Sequence, residues 1–183
     1  MRVISGTARG TKLRTIEGLG TRPTTDRVKE AIFNLVQFHI RGSRILDLFA
    51  GSGSLGIEAA SRGAEFVCAV ESNNECIKIL NENYTKTRLS DNAEIIKTDV
   101  IGLLQSKRLK DGFDVIFMDP PYNKGFEVKA LKAIRENALL NDQGIIVVEH
   151  SVDTEMTDTI EGYEIYKQKK YGITMVSVLR EAE

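Results

Sequence analysis

Asp47-Leu48-Phe49-Ala50-Gly51-Ser52-Gly53-Ser54-Leu55-Gly56 decides how this chain folds. The apolar run Arg44 to Phe49 reads as a buried strand. Leu55 to Arg62 reads as a helix that stops at Gly63. Between them Gly51, Gly53 and Gly56 satisfy G-x-G-x-x-G at a strand-to-helix turn. Glu71 follows Gly51 by 20 residues, at the end of the next predicted strand. A carboxylate at that spacing suits ribose hydroxyls, and ligands in such folds bind beyond the carboxyl ends of the strands.

Outward from this turn the chain alternates. Strands are predicted at Phe66 to Glu71, Ala93 to Thr98, Phe113 to Met118 and Ile145 to Glu149. Helices are predicted at Glu75 to Thr87, Val100 to Lys107 and Glu127 to Leu140, the last stopped near Gly144. Alternation of this kind builds a mostly parallel sheet with helices on both faces, an α/β three-layer sandwich. Tyr163 to Lys170 and Ile173 to Arg180, split by Tyr171-Gly172, read as a closing antiparallel hairpin, which makes seven strands. Before the sheet, residues 2–5 and 11–15 suit a small hairpin. Gly18, Gly20 and Pro23 mark a loop, and Thr24-Thr25-Asp26 offers N-caps for a helix carrying Ala31, Ile32, Leu35 and Val36.

The chain of 183 residues fits one domain, with residues 1–40 as an N-terminal extension. No apolar stretch approaches a bilayer span, and no signal-peptide core follows Met1. Cytoplasmic placement without a membrane partner is expected. His39 and His150 stand far apart and Cys68 and Cys76 fall in no recognisable motif, so no metal is expected. The net charge of −1 hides an asymmetry. Residues 1–45 hold nine Lys/Arg against three acidic residues, while the rest hold 16 against 23. A basic segment on an acidic body points to a polyanion at one end.

The glycine turn suits either NAD or S-adenosylmethionine (SAM). For SAM, the bare backbone around Ala50, Gly51 and Gly53 would lie against the methionine end. Asp47 would sit near its amino group, and Asp99 would receive the adenine amino group, cap the following helix, or do both. The choice comes from Asp119-Pro120-Pro121-Tyr122, which follows the fourth strand. Two prolines make a stiff turn that donates no N–H. Oxygen acceptors beside a flat ring make a receptor for a planar group bearing NH2. A nicotinamide enzyme needs no such turn, whereas an amino-group methyltransferase does.

These residues resemble the class I SAM-dependent methyltransferases with the [D/N]PP[Y/F] motif. Arg2-Val3-Ile4-Ser5-Gly6, Arg9-Gly10, Lys12-Leu13, Arg22-Pro23-Thr24-Thr25-Asp26-Arg27-Val28-Lys29-Glu30 and Phe33-Asn34 are similar to the N-terminal signature of the RsmD family. Asp47 to Glu58, Ser61-Arg62-Gly63-Ala64 and Glu149-His150 extend the resemblance. It implies a Rossmann-like fold, SAM as cofactor, and methylation of guanine N2 in 16S rRNA of the small ribosomal subunit; separately, a monomer is expected. Asp119 and the Pro120 carbonyl would accept the amine hydrogens, with Tyr122 stacked on the base. Arg9, Lys12, Arg22 and Arg27 are the expected RNA contacts, although Arg27 and Lys29 also suit an ordinary helix surface. A DNA adenine-N6 methyltransferase and a non-catalytic RNA-binding ribosome-assembly factor are the alternatives. The first lacks room for a separate target-recognition domain, and an intact Asp119 and glycine turn disfavour the second.

Overall fold

β1 (Arg44–Leu48) is apolar on both faces: Ile45, Leu46 and Leu48 are all fully buried. A strand with no polar face must lie inside a sheet covered on both sides, and β1 does. The computed structural model describes residues 1–16, 25–154, 156, 157 and 159–183. After α1 (Asp26–Val36) and β1 come α2 (Ser54–Ser61), β2 (Phe66–Glu71), α3 (Asn74–Thr87), β3 (Ala93–Lys97), α4 (Val100–Gln105) and β4 (Phe113–Met118). They are followed by α5 (Phe126–Glu136), β5 (Leu140–Ser151), β6 (Thr159–Ile160), β7 (Tyr163–Tyr171) and β8 (Thr174–Glu181). The sheet order is β3-β2-β1-β4-β5-β8-β7-β6. The first five strands in that order are parallel, and β8, β7 and β6 join antiparallel.

Strand alternation sends side chains to two cores. Ile45, Val67, Val115 and Phe117 pack with α1, α2 and α3; Leu46, Leu48, Ile116 and Met118 pack with α4 and α5. The period is visible in α1, whose Ile32, Phe33 and Val36 face the sheet, with Phe33 against Phe117 at 5.6 Å between ring centroids. Thr25 starts this helix by accepting from the Val28 N–H.

The N-terminal segment is part of the first core: Val3, Ala8 and Leu13 are buried in it. The expected hairpin is a single antiparallel bridge, Arg2 to Lys12. A buried carboxylate holds the segment down. Glu58 on α2 accepts the Ile4 N–H at 2.8 Å and the Ser5 N–H at 3.0 Å. It also meets Lys29 Nζ at 3.3 Å and Arg62 Nε at 2.8 Å. Lys29, which suited a surface position, is therefore fully buried, and its ammonium also donates to the Arg2 carbonyl. Burial lowers its pKa and Glu58 opposes that shift. One turn on, Ser61 accepts the Thr7 N–H through its carbonyl and the Ala8 N–H through its hydroxyl. The approach is so close that a Cβ on Gly6 would sit 1.7 Å from the Ser61 carbonyl oxygen.

Three further expectations change. The last helix ends at Glu136 instead of Leu140, because Asn137 caps it and Ala138 turns left-handed at φ 49°. Leu140 begins β5, paired with Phe113, so β5 is far longer than Ile145 to Glu149 and runs through Gly144. The sheet gains an eighth strand, the two-residue β6. The expected loop around Gly18, Gly20 and Pro23, and Thr24 beside it, lie outside the described residues.

The buried ions set a stability test. Glu58→Ala leaves the Lys29 ammonium buried without its partner, which costs about 3–5 kcal/mol. Arg2→Ala removes only the exposed pair with Asp26 and costs under about 1 kcal/mol. Urea unfolding of the two variants should differ accordingly.

Candidate active site

The strand order reverses between β1 and β4, and their last residues, Leu48 and Met118, are paired in register. Two loops therefore leave neighbouring strands at the same level: Phe49 to Gly53 from β1 and Asp119 to Gly125 from β4. The first is fixed from behind. Ala50 N–H donates to the Val70 carbonyl at 2.9 Å, and Asn83 Nδ2 donates to the Ser52 carbonyl at 2.8 Å. Gly53 is left-handed at φ 84°, and a Cβ there would meet Leu80 Cδ1 at 2.4 Å. A Cβ on Gly51 would find nothing nearer than 4.0 Å, so this side of the loop is open.

Glu71 ties that loop to the tip of β2. One carboxylate oxygen accepts the Gly51 N–H at 2.9 Å, and the other accepts the Ser72 and Asn73 N–H groups, each at 2.8 Å. Asp47 lies beneath the loop, 2% exposed, and accepts the Gly56 N–H at 3.0 Å. Burial pushes its pKa up to about 7, the Gly56 hydrogen bond opposes this, and the Glu71 charge adds to it. Asp99 caps α4 by accepting the Gly102 N–H at 2.7 Å. It stands just past β3, as Glu71 ends β2. Asp99, Glu71, the glycine loop and Asp119 therefore lie in that order along adjacent strand tips, spanning roughly 14 Å at ordinary strand spacing.

On the second loop Pro120 is buried and Asp119 and Tyr122 are half-buried. The Tyr122 hydroxyl lies 3.4 Å from Glu149 Oε1 and 3.4 Å from Thr174 Oγ1, at the ends of β5 and β8. Burial pushes its pKa up to about 12. Glu149 is only 6% exposed. Its contact with the tyrosine was not foreseen, although Glu149-His150 belongs to the family resemblance and an acidic residue closes an apolar strand there. Thr174 carried no signal, because it meets Tyr122 only through the β5–β8 pairing.

The expected RNA contacts separate. Arg9, Lys12 and Arg27 are exposed, and Arg22 lies outside the described residues. Arg9 follows Ala8, which is docked on Ser61 at the end of α2, so it sits about a helix length from the glycine loop. Cys68 is buried, and burial raises its thiol to about 12; Cys76 is raised to about 11 by the same cause. Among the described residues no three His, Cys, Asp or Glu side chains gather as metal ligands, and no helix is long and apolar enough to cross a membrane.

A parallel sheet that reverses at β1/β4, with a glycine loop on one side of the reversal and Asp-Pro-Pro-Tyr on the other, is the Rossmann-like methyltransferase fold. Solved structures agree. "Putative methyltransferase yhhF" from Escherichia coli has a TM-score of 0.87 and 31% identity, covering 100% of this chain and 99% of that one. The family model described as "Conserved hypothetical protein 95" matches residues 1–180, and the chain belongs to that family, the RsmD family. "Putative rRNA methyltransferase YlbH" of Bacillus subtilis is 39% identical over 98% of both chains. "Ribosomal RNA small subunit methyltransferase D" of Haemophilus influenzae is 37% identical over 94% of this chain and 90% of its own.

Asp47 sets a pH test. Its folded pKa lies near 7, against 3.8 for the ordinary carboxyl. Between these values the folded state holds a proton that the unfolded state has lost, so this group destabilises the fold as pH rises. Asp47→Asn does not titrate. Its melting temperature relative to the wild type should rise from pH 4 to pH 7, measured without ligand. Parallel curves would mean that the carboxyl ionises normally.

Proposed function

We propose that this chain transfers the methyl group of SAM to the exocyclic N2 amino group of one guanine in 16S rRNA of the small ribosomal subunit. The observation that carries this reading is the in-register pairing of Leu48 with Met118, which sets an acceptor-rich turn beside the glycine loop. The names of two relatives, an rRNA methyltransferase and a small-subunit rRNA methyltransferase, support the substrate class.

The residues present fit the cofactor. Gly51 and Gly53 offer backbone with open space at Gly51, and Glu71 presents a carboxylate already oriented by three N–H donors. Glu71 takes the ribose hydroxyls, Asp99 the adenine amine, and Asp47 with Ala50 the methionine end. When bound, SAM supplies an electrophilic methyl group on sulfur. The guanine N2 lone pair is delocalised into the ring and is a weak nucleophile. The Asp119 carboxylate and the Pro120 carbonyl accept its two N–H bonds, draw the nitrogen toward tetrahedral geometry and localise the lone pair. As the N–CH3 bond replaces the S–CH3 bond, the sulfur is left as a neutral thioether, and the nitrogen sheds one proton to water. Tyr122 lies on the base and fixes its plane. The chain's contribution is positioning and electrostatics, and the base must leave its stack to reach the turn. Arg9, Lys12, Arg22 and Arg27 hold RNA phosphates. The enzyme acts as a monomer in the cytoplasm.

Labelled methyl transfer to small subunits from cells lacking the protein tests this. Asp119→Ala should lower turnover by at least about a hundredfold, the scale of losing an oriented electrostatic partner, with SAM affinity retained. Glu71→Ala should weaken SAM binding first. Mass mapping should find one N2-methylguanine absent from the 16S rRNA of those cells. Near-normal turnover by the Asp119 variant would end the acceptor mechanism.

A further inference from the structure

We propose that one face of β7 is an RNA track leading into the Asp119–Tyr122 turn; this rests on the function proposed above. Pairing of β7 with β8 sets Lys167 opposite Val178, Lys169 opposite Val176 and Tyr171 opposite Thr174. Val176 and Val178 belong to the core under α1, so these three side chains stand on the α1 side of the sheet. Thr174 is the residue beside the Tyr122 hydroxyl. The row therefore runs along one strand and ends at the base site.

Its chemistry is two cations flanked by rings. Lys167 Nζ lies 5.0 Å from the Tyr166 ring centroid, and Lys169 Nζ lies 5.6 Å from that of Tyr171. Tyr166 is 45% exposed. Lys167 also donates to the Leu35 carbonyl at 3.3 Å, which brings the end of α1 to the same place. Three residues beyond Leu35, Phe38 is 92% exposed, the most exposed large apolar side chain among the described residues. Strand β7 holds three lysines and one acid, Glu164, which is paired with Arg180. On a body whose last 138 residues are net acidic, this local excess suits a polyanion. The exposed Tyr166 and Phe38 rings beside the charges suit unstacked bases, which bind aromatic faces with little regard to sequence. The occupant is the rRNA strand flanking the target guanine.

Adjacent residues of one strand provide the control. Lys170 pairs with Met175 and points to the opposite face. Lys169→Glu and Lys170→Glu make the same charge change one residue apart. Both are read by methyl transfer to small subunits across a KCl series, beside Phe38→Ala, whose side chain supports no packing. Lys169→Glu should raise KM for subunits about tenfold. It should also flatten the plot of log(kcat/KM) against log[salt] by about one unit, as loss of a phosphate contact does. Phe38→Ala should raise KM severalfold, and Lys170→Glu should stay within about twofold of wild type. In all three, kcat at saturation and SAM affinity should hold. Equal effects at Lys169 and Lys170, or none at Lys169 and Phe38, would overturn the track. A rise in KM with an unchanged salt slope would also overturn it and point to a ribosomal protein on this face. If the wild type itself transfers no methyl group to subunits, the proposed function falls instead.

Discussion

The hydrogen-bonded ladder between β1 and β4 is the constraint on which the rest depends. A parallel pair brings two strand ends to one level, and the reversal of order at that pair leaves the crevice above it uncovered. Nothing in the glycine loop or in Asp119-Pro120-Pro121-Tyr122 requires the other to be near. Their meeting is a property of the register: a slip of one residue would turn Asp47 from the α2 side to the α5 side and offset the two loops. With both strands apolar on both faces, the register is pinned by Asp47, whose carboxylate reaches the Gly56 N–H only from the α2 side.

The N-terminal segment is held by a different kind of force. Residues 2–13 have too few apolar side chains to dock by area alone, and Glu58 compensates with two backbone N–H groups, an ammonium and a guanidinium. Charges this deep gain little net stability, because desolvation offsets their attraction, but removing one partner is costly. Such a hub acts as a register pin. It couples the segment, α1 and α2, and α2 starts from the glycine loop. The placement of the N-terminal segment and the shape of the glycine turn are thus mechanically joined.

Much of this was legible in the sequence for reasons that are local. β2 and β4 were bounded to the residue because an apolar run between turn signals needs no tertiary information. The glycine loop, Glu71 and the Asp99 cap follow from spacing. What was not legible is what only the closed sheet brings together. Glu149 and Thr174 meet Tyr122 across 27 and 52 residues of chain. Lys29 read as surface because a buried lysine is rare without a partner, and its partner lies in the next helix. The end of α5 was misplaced because Leu139 and Leu140 continue an apolar helical pattern, yet pairing with β4 claims Leu140 for the sheet.

The site is rigid where it must not yield and open where it must admit a ligand. Behind the glycine loop the fixed points are hydrogen bonds to its backbone, from Val70, Asn83 and Glu71, and a side chain packed against glycine, as at Gly53 and Leu80. Glu71 carries the same logic further: three N–H donors orient its carboxylate before anything binds, so little conformational freedom remains to be lost. Tyr122 repeats it on the other loop, with its hydroxyl set between Glu149 on β5 and Thr174 on β8. A weak nucleophile such as an aromatic amine gains most from acceptors that need no rearrangement at the moment of reaction. In the function proposed above, the proline pair and the Tyr122 contacts would give the Asp119 turn that quality. The same β8 edge that contacts Tyr122 carries β7 beside it, so the tyrosine and the β7 lysines are joined through one pair of strands.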